Sequence, residues 1–225
     1  MEQSPGHEEQ VYFDSERTTG RTLLEGMLCR PYSDTHLPGA VLCHPHPMGG
    51  GDMDVPLIAR ISQVLCAIGY AVLRFNFGGV GASRGVFTDG DQEPYDVEAA
   101  VNYLRDLPIV DDKQVGLAGW SFGAWMALVA VSEGIPAMSV VAIAPPLPVY
   151  DWQPVARRLG QVAVPRHYVL GSRDRFCPVS TLEEFTSAVS PGDREHMTIL
   201  EGTDHFFFTR EAEVAGLVVE LISET

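Results

Sequence analysis

Short apolar runs alternate with longer amphipathic ones over most of this chain. Leu23 to Cys29, Gly39 to Cys43 and Ala71 to Phe75 read as strands. So do Gln114 to Ala118, Met138 to Ala144, His167 to Leu170 and Met197 to Leu200. Between them, apolar residues recur at helical spacing. Leu57, Ile58, Ile61, Val64, Leu65 and Ile68 predict a helix over 56–68 that Gly69 ends. Val97, Ala100, Val101 and Leu104 mark another helix, Leu182, Phe185, Ala188 and Val189 a later one, and Val214, Leu217, Val218, Leu221 and Ile222 the last. The stretch Phe122 to Val131 is apolar all round, as a buried helix would be. Strand–helix alternation with near-continuous apolar strands predicts an α/β fold, a mainly parallel sheet flanked by helices on both faces. Right-handed crossovers then bring the strands' C-terminal ends to one edge, where open sheets bind ligands. The polar residues 1–10 read as a flexible tail and 11–225 as a single domain.

Composition narrows the function. Fifteen basic residues face 30 acidic ones, a formal net charge of −15. That is the wrong sign for nucleic acid and for an anionic membrane surface, so neither is expected as a partner. No apolar run approaches the roughly 18 residues of a membrane span, and the acidic N-terminus is unlike a signal peptide. Cys29, Cys43, Cys66 and Cys177 form no CxxC pair, so free thiols and a cytoplasmic location are expected.

Three sites along the chain suggest chemistry. Gly119-Trp120-Ser121-Phe122-Gly123 is a GxSxG pentapeptide that follows a predicted strand and opens a predicted helix. In that setting small residues two before and two after the serine let strand and helix approach closely while its hydroxyl projects from the sheet. Ser121 is therefore the candidate nucleophile. Serine needs a base. Of the seven histidines, His205 lies after the last predicted strand, on the same sheet edge. Asp174 ends the loop after the preceding strand and fits the chain order serine, acid, histidine. A salt bridge from Asp174 to Arg173 or Arg175 is the competing reading, and Asp204 is the alternative acid.

Acyl transfer also needs two N–H donors for the oxyanion. The amide of Phe122 is one; the other comes from His44-Pro45-His46-Pro47-Met48-Gly49-Gly50-Gly51. Pro45 and Pro47 have no N–H, which leaves His46 first and Met48 second. The same His-x-His, with Asp52 and Asp54 nearby, offers a rival reading as a metal site for a metal-dependent hydrolase. A metal would leave the serine–acid–histidine order unexplained, so no metal and no cofactor are expected. The loop Gly78 to Gly85 lacks the third glycine of a dinucleotide fingerprint, since Arg84 stands there.

Together these residues resemble the α/β-hydrolase superfamily and, more narrowly, small bacterial hydrolases related to dienelactone hydrolases. Cys43-His44-Pro45-His46-Pro47, Leu73-Arg74-Phe75-Asn76-Phe77 before Gly79-Val80-Gly81, the pentapeptide at 119–123, Ile143-Ala144-Pro145-Pro146 and Asp204-His205-Phe206-Phe207 carry the resemblance. It spans residues 20–222. It implies an α/β-hydrolase fold and serine hydrolase chemistry. Gly78 departs from the group, which usually has an arginine there as a loop anchor. Dienelactone hydrolases use a cysteine nucleophile, so dienelactone is not implied as substrate. Only about 20 residues separate Ala144 from His167, too few for a lid domain. Met48, Val149, Tyr150, Trp152, Phe176 and Phe206 are candidate liners of an open pocket, or equally core. The expectation is a serine carboxylesterase or thioesterase acting on small to medium acyl substrates, either alone or as a homodimer. A non-catalytic binding protein on the same fold is the alternative.

Overall fold

A computed structural model describes residues 6–32, 36–190 and 195–223. Eight strands form one sheet: β1 (His7–Arg17), β2 (Gly20–Arg30), β3 (Leu37–Cys43), β4 (Ala71–Phe75), β5 (Val110–Trp120), β6 (Val140–Ile143), β7 (Arg166–Gly171) and β8 (Glu195–Leu200). Their order is β1-β2-β4-β3-β5-β6-β7-β8. β1 runs antiparallel to β2, and β2 antiparallel to β4; every other pair is parallel. The helices are α1 (Pro56–Ala67), α2 (Glu93–Arg105), α3 (Phe122–Ser132), α4 (Gln153–Leu159), α5 (Val179–Val189) and α6 (Glu211–Ser223). α1 and α6 pack together on one face; α2, α3, α4 and α5 pack in succession on the other. Every residue of β4, β6 and β7 is buried, as strands covered on both faces must be. This is the expected mainly parallel architecture, and no lid interrupts the short 144–166 connection, which holds only a turn and α4.

Two expected boundaries move. Residues 7–10 belong to β1 and not to a tail. β1 is an edge strand with charged residues on its open face, and only Phe13, Ser15 and Arg17 turn fully inward. Period-two alternation with so few apolar members is hard to see, and charge on an edge is how sheets avoid further pairing. β5 also starts earlier, at Val110, and α4 was not foreseen.

The cysteine expectation is corrected too. Cys29 of β2 and Cys66 of α1 form a disulfide, their Cα atoms 6.2 Å apart, while Cys43 and Cys177 are free and buried. The partners are 37 residues apart in sequence. Their meeting follows from α1 lying over β2, which the spacing of the cysteines does not reveal. Among the described residues no helix is long and apolar enough to cross a membrane.

Gly78 has a physical explanation. The Arg17 guanidinium fills the space that a side chain at 78 would need. It is fully buried, donates from Nε to Asp96 Oδ1 at 2.9 Å and reaches the Val86 carbonyl at 2.8 Å. Asp96 also accepts the Gly78 amide at 3.0 Å. The loop's cationic anchor thus comes from β1, and glycine at 78 makes room for it.

His44, just beyond β3, is a core histidine. Its Nε2 accepts the Phe77 N–H at 3.1 Å, and its Nδ1–H donates to the Pro45 carbonyl at 2.7 Å. It therefore staples the ends of β3 and β4 together as a neutral ring. Burial lowers its pKa to about 4 from 6.5. The unfolded chain takes up this proton near pH 6.5 and the folded chain only near pH 4, so the stability involved is complete above 6.5 and is lost as pH falls towards 4. The shift corresponds to roughly 3 kcal/mol. His44→Asn, which keeps a donor and an acceptor, should flatten the fall in unfolding free energy over that window. Denaturant unfolding at stepped pH, variant beside wild type, measures it; parallel curves would show that His44 does not titrate there. Reducing the Cys29–Cys66 bond should lower stability by about 2–4 kcal/mol, read by denaturant melts with and without reductant.

Candidate active site

The site stands where β3, β5 and β7 end. Ser121 links β5 to α3 with φ 55° and ψ −118°, a left-handed conformation that costs a non-glycine residue of order 1–3 kcal/mol. Its neighbours hold it there. A Cβ at Gly119 would overlap the backbone of Gly123, and one at Gly123 would overlap the carbonyls of Cys43 and His44. Two glycines thus let β5, α3 and the end of β3 touch backbone to backbone. The Ser121 amide donates to Ile143 O of β6 at 2.8 Å, locking the turn to the next strand.

His205 and Asp174 arrive on loops after β8 and β7. His205 Nε2 lies 2.9 Å from Ser121 Oγ, and its Nδ1 lies 2.8 Å from Asp174 Oδ2. The Asp174 side chain is completely buried. Its other oxygen accepts the Phe176 and Cys177 amides at 2.7 and 3.0 Å. A carboxylate held this way requires the His205 proton on Nδ1, which leaves Nε2 free to accept from the serine. Asp174 pairs with neither Arg173 nor Arg175, and Asp204 instead accepts the Phe206 amide at 3.0 Å. The three residues singled out from the sequence therefore form one hydrogen-bonded chain.

The loop after β3 treats its two candidate amides differently. The His46 ring caps the short turn Pro47–Gly49 by accepting the Met48 N–H on Nδ1 at 3.1 Å. Its Nε2–H then donates to Asp89 Oδ1 at 2.9 Å. The Met48 amide is consumed by this cap and is not a free oxyanion donor, which corrects that assignment. The amides of His46 and Phe122 donate to no group among the described residues. The Phe122 ring, fully buried, meets His46, Phe77 and Phe87 at 5.2–5.4 Å and so ties three loops to the serine turn. The metal reading of His44 and His46 does not fit: both rings spend both nitrogens on protein partners. No cluster of metal-ligating side chains occurs among the described residues.

Of the candidate liners, Phe176 and Phe206 lie against His205, with ring centroids 4.6 and 5.6 Å away. Met48 and Val149 are exposed beyond Pro47 and Pro148. Tyr150 stacks on Trp125 at 5.2 Å, and burial pushes its hydroxyl up to about 12. Trp152 turns edge-on to Phe185 of α5 at 5.7 Å. No ring contact or hydrogen bond among the described residues joins Tyr150 or Trp152 to Ser121 or His205. These two aromatics brace α3 and α5 instead, because each has a ring partner there.

Several supporting residues were not legible beforehand. Trp120 Nε1 donates to the His205 carbonyl at 3.1 Å, fixing the loop that carries His205. Arg210 binds the Thr203 hydroxyl and donates to the Glu201 carbonyl at 3.0 Å in the turn before it. Buried Glu93 gathers the Thr88 and Gly90 amides at 2.8 and 2.7 Å, shaping the turn that presents Asp89 to His46. The only sequence signal for Glu93 was its place at the start of a helix.

A family profile described as X-Pro dipeptidyl-peptidase (S15 family) matches residues 19–181. An uncharacterized protein of Rickettsia prowazekii is 31% identical over 217 residues, covering 93% of this chain and 86% of its own length. Among solved structures, an alpha-beta serine hydrolase homologue from Coxiella burnetii is 27% identical with a TM-score of 0.78, covering 93% of this chain and 96% of its own. A serine hydrolase without a lid from Xanthomonas campestris is 25% identical with a TM-score of 0.77, covering 95% and 94%. The profile spans well over half of the sequence, and its solved neighbours share the lidless sheet; the chain belongs to the S15 family of the α/β-hydrolase superfamily.

Proposed function

We propose that this protein is a serine carboxylesterase or thioesterase acting on small to medium acyl substrates. The observation that carries the reading is the unbroken Ser121–His205–Asp174 hydrogen-bond chain, 2.9 and 2.8 Å, at the mouth of an open sheet edge. Ser121 Oγ attacks the acyl carbonyl while its proton passes to His205 Nε2. The carbonyl π electrons move onto oxygen, which the Phe122 and His46 amides stabilise. Collapse of this tetrahedral adduct breaks the bond to the alcohol or thiol, and the His205 proton leaves with it. Water then gives a proton to His205, attacks the acyl-serine and releases the acid, with the proton returned to Ser121. Asp174 holds the imidazolium throughout.

The family's name raises peptide hydrolysis as a second reading. A dipeptidyl-peptidase needs a carboxylate to receive the substrate's free ammonium. Four carboxylates already have protein partners: Asp174 to His205, Asp89 to His46, Glu93 to the 88–90 turn and Asp204 to the Phe206 amide. That favours esters and thioesters.

Hydrolysis of a p-nitrophenyl ester series beside an X-Pro p-nitroanilide tests this. Wild type should cleave the esters, prefer short to medium chains and leave the anilide. Ser121→Ala should lower kcat by roughly 10⁴–10⁶-fold, and Asp174→Asn by about 10⁴-fold through the wrong imidazole tautomer. Faster turnover of the anilide would replace the ester reading with the peptidase one. No turnover together with no phosphonate labelling of Ser121 would leave only a binding role.

A further inference from the structure

Asp174 points inward to His205, so its neighbours on either side point out. Those neighbours are Arg173 and Arg175, both exposed. Neither makes an ion pair or a side-chain hydrogen bond among the described residues. Arg17, Arg21, Arg30, Arg74 and Arg210 are paired with carboxylates; Arg173 and Arg175 belong instead with Arg60, Arg84 and Arg157, which have no ion pair among the described residues. The two arginines line a groove of about 360 Å³ with Phe176, Asp204, His205 and Phe206. Its aromatic wall continues outward, since Phe206 stacks on exposed Phe208 at 5.5 Å.

The backbone beneath the arginines is fixed. Arg173 N–H donates to Thr203 O at 2.9 Å, Asp174 N–H to Gly171 O at 3.0 Å, and Ser172 Oγ accepts the Gly202 amide at 2.9 Å. Positions 173 and 175 are therefore held in place before any ligand arrives, which lowers the cost of binding. Position also decides which half of a substrate the groove meets. His205 must hand its proton to the departing oxygen or sulfur, so the leaving group lies on the His205 side. The amides that donate to the oxyanion are those of His46, in the loop after β3, and Phe122, at the start of α3. The groove thus belongs to the alcohol half.

Resting on the hydrolase reading above, we propose that the preferred substrates are esters whose alcohol half has a flat, apolar body and an anionic tip. The body lies against Phe176 and Phe206, and Arg173 and Arg175 hold the carboxylate, sulfate or phosphate at its end. Asp204, in the same groove, accepts the Phe206 amide on Oδ1.

The test compares 4-acetoxybenzoate with its uncharged analogue 4-acetoxybenzamide, each kcat/KM divided by the ester's own hydroxide-catalysed rate. Wild type should prefer the carboxylate by about tenfold at low salt, the size expected of two solvent-facing charge contacts, and less in 0.5 M NaCl. In Arg173→Gln/Arg175→Gln the ratio should fall to about one. A ratio is read because a disturbed Asp174 loop slows both esters alike. Equal rates in wild type, or an unchanged ratio in the double variant, overturn the proposal while leaving the hydrolase reading intact. Should neither ester turn over, phosphonates bearing the same two phenols give the ratio from their rates of labelling Ser121; absence of labelling removes the hydrolase reading and this inference with it.

Discussion

The site depends on one close approach of backbones. Gly119, Gly123 and the carbonyls of Cys43 and His44 meet with no room for a Cβ, and this contact joins β5, α3 and the end of β3. Every later distance follows from it. It sets where Ser121 stands, puts the first turn of α3 beside the loop after β3, and fixes how far the loops after β7 and β8 must reach. A side chain at either glycine would push the serine turn away from the end of β3.

Around that contact, polar side chains do the work that a lid or a metal does elsewhere. Glu93 shapes the turn holding Asp89, Asp89 holds the His46 ring, and that ring caps the loop after β3. On the other flank, Arg210 and Trp120 secure the loop carrying His205. Arg17 anchors the third loop from a distant strand. Glu93, Arg17 and Trp120 act from buried positions, where a hydrogen bond is strongest and a missing one most costly, whereas Asp89 and Arg210 stay partly open to water.

How much of this could be read in advance depended on whether the signal was local. Ser121, Asp174 and His205 were legible because each follows a strand, and a parallel sheet turns chain order into a place on one edge. The central strands were legible as apolar runs. β1 was not, since an edge strand with one thin apolar stripe looks like a polar tail. The Cys29–Cys66 pair and the Arg17–Asp96 pair join residues far apart in sequence, and nothing at either end marks the partner. The Met48 assignment failed for a subtler reason: counting available N–H groups ignores the histidine ring that takes one of them. Trp152 and Tyr150 had the right composition for a pocket, but aromatic composition does not distinguish a ring facing substrate from one facing another ring.

The left-handed backbone at Ser121 has a consequence for the evolution of this chain. The conformation works against folding, and it persists because the surrounding core outweighs it. Glycine would adopt it without strain, so selection for stability alone pushes this position towards glycine and away from a hydroxyl. Serine at this position therefore carries a hydroxyl to the sheet edge at a cost in stability that glycine would not incur.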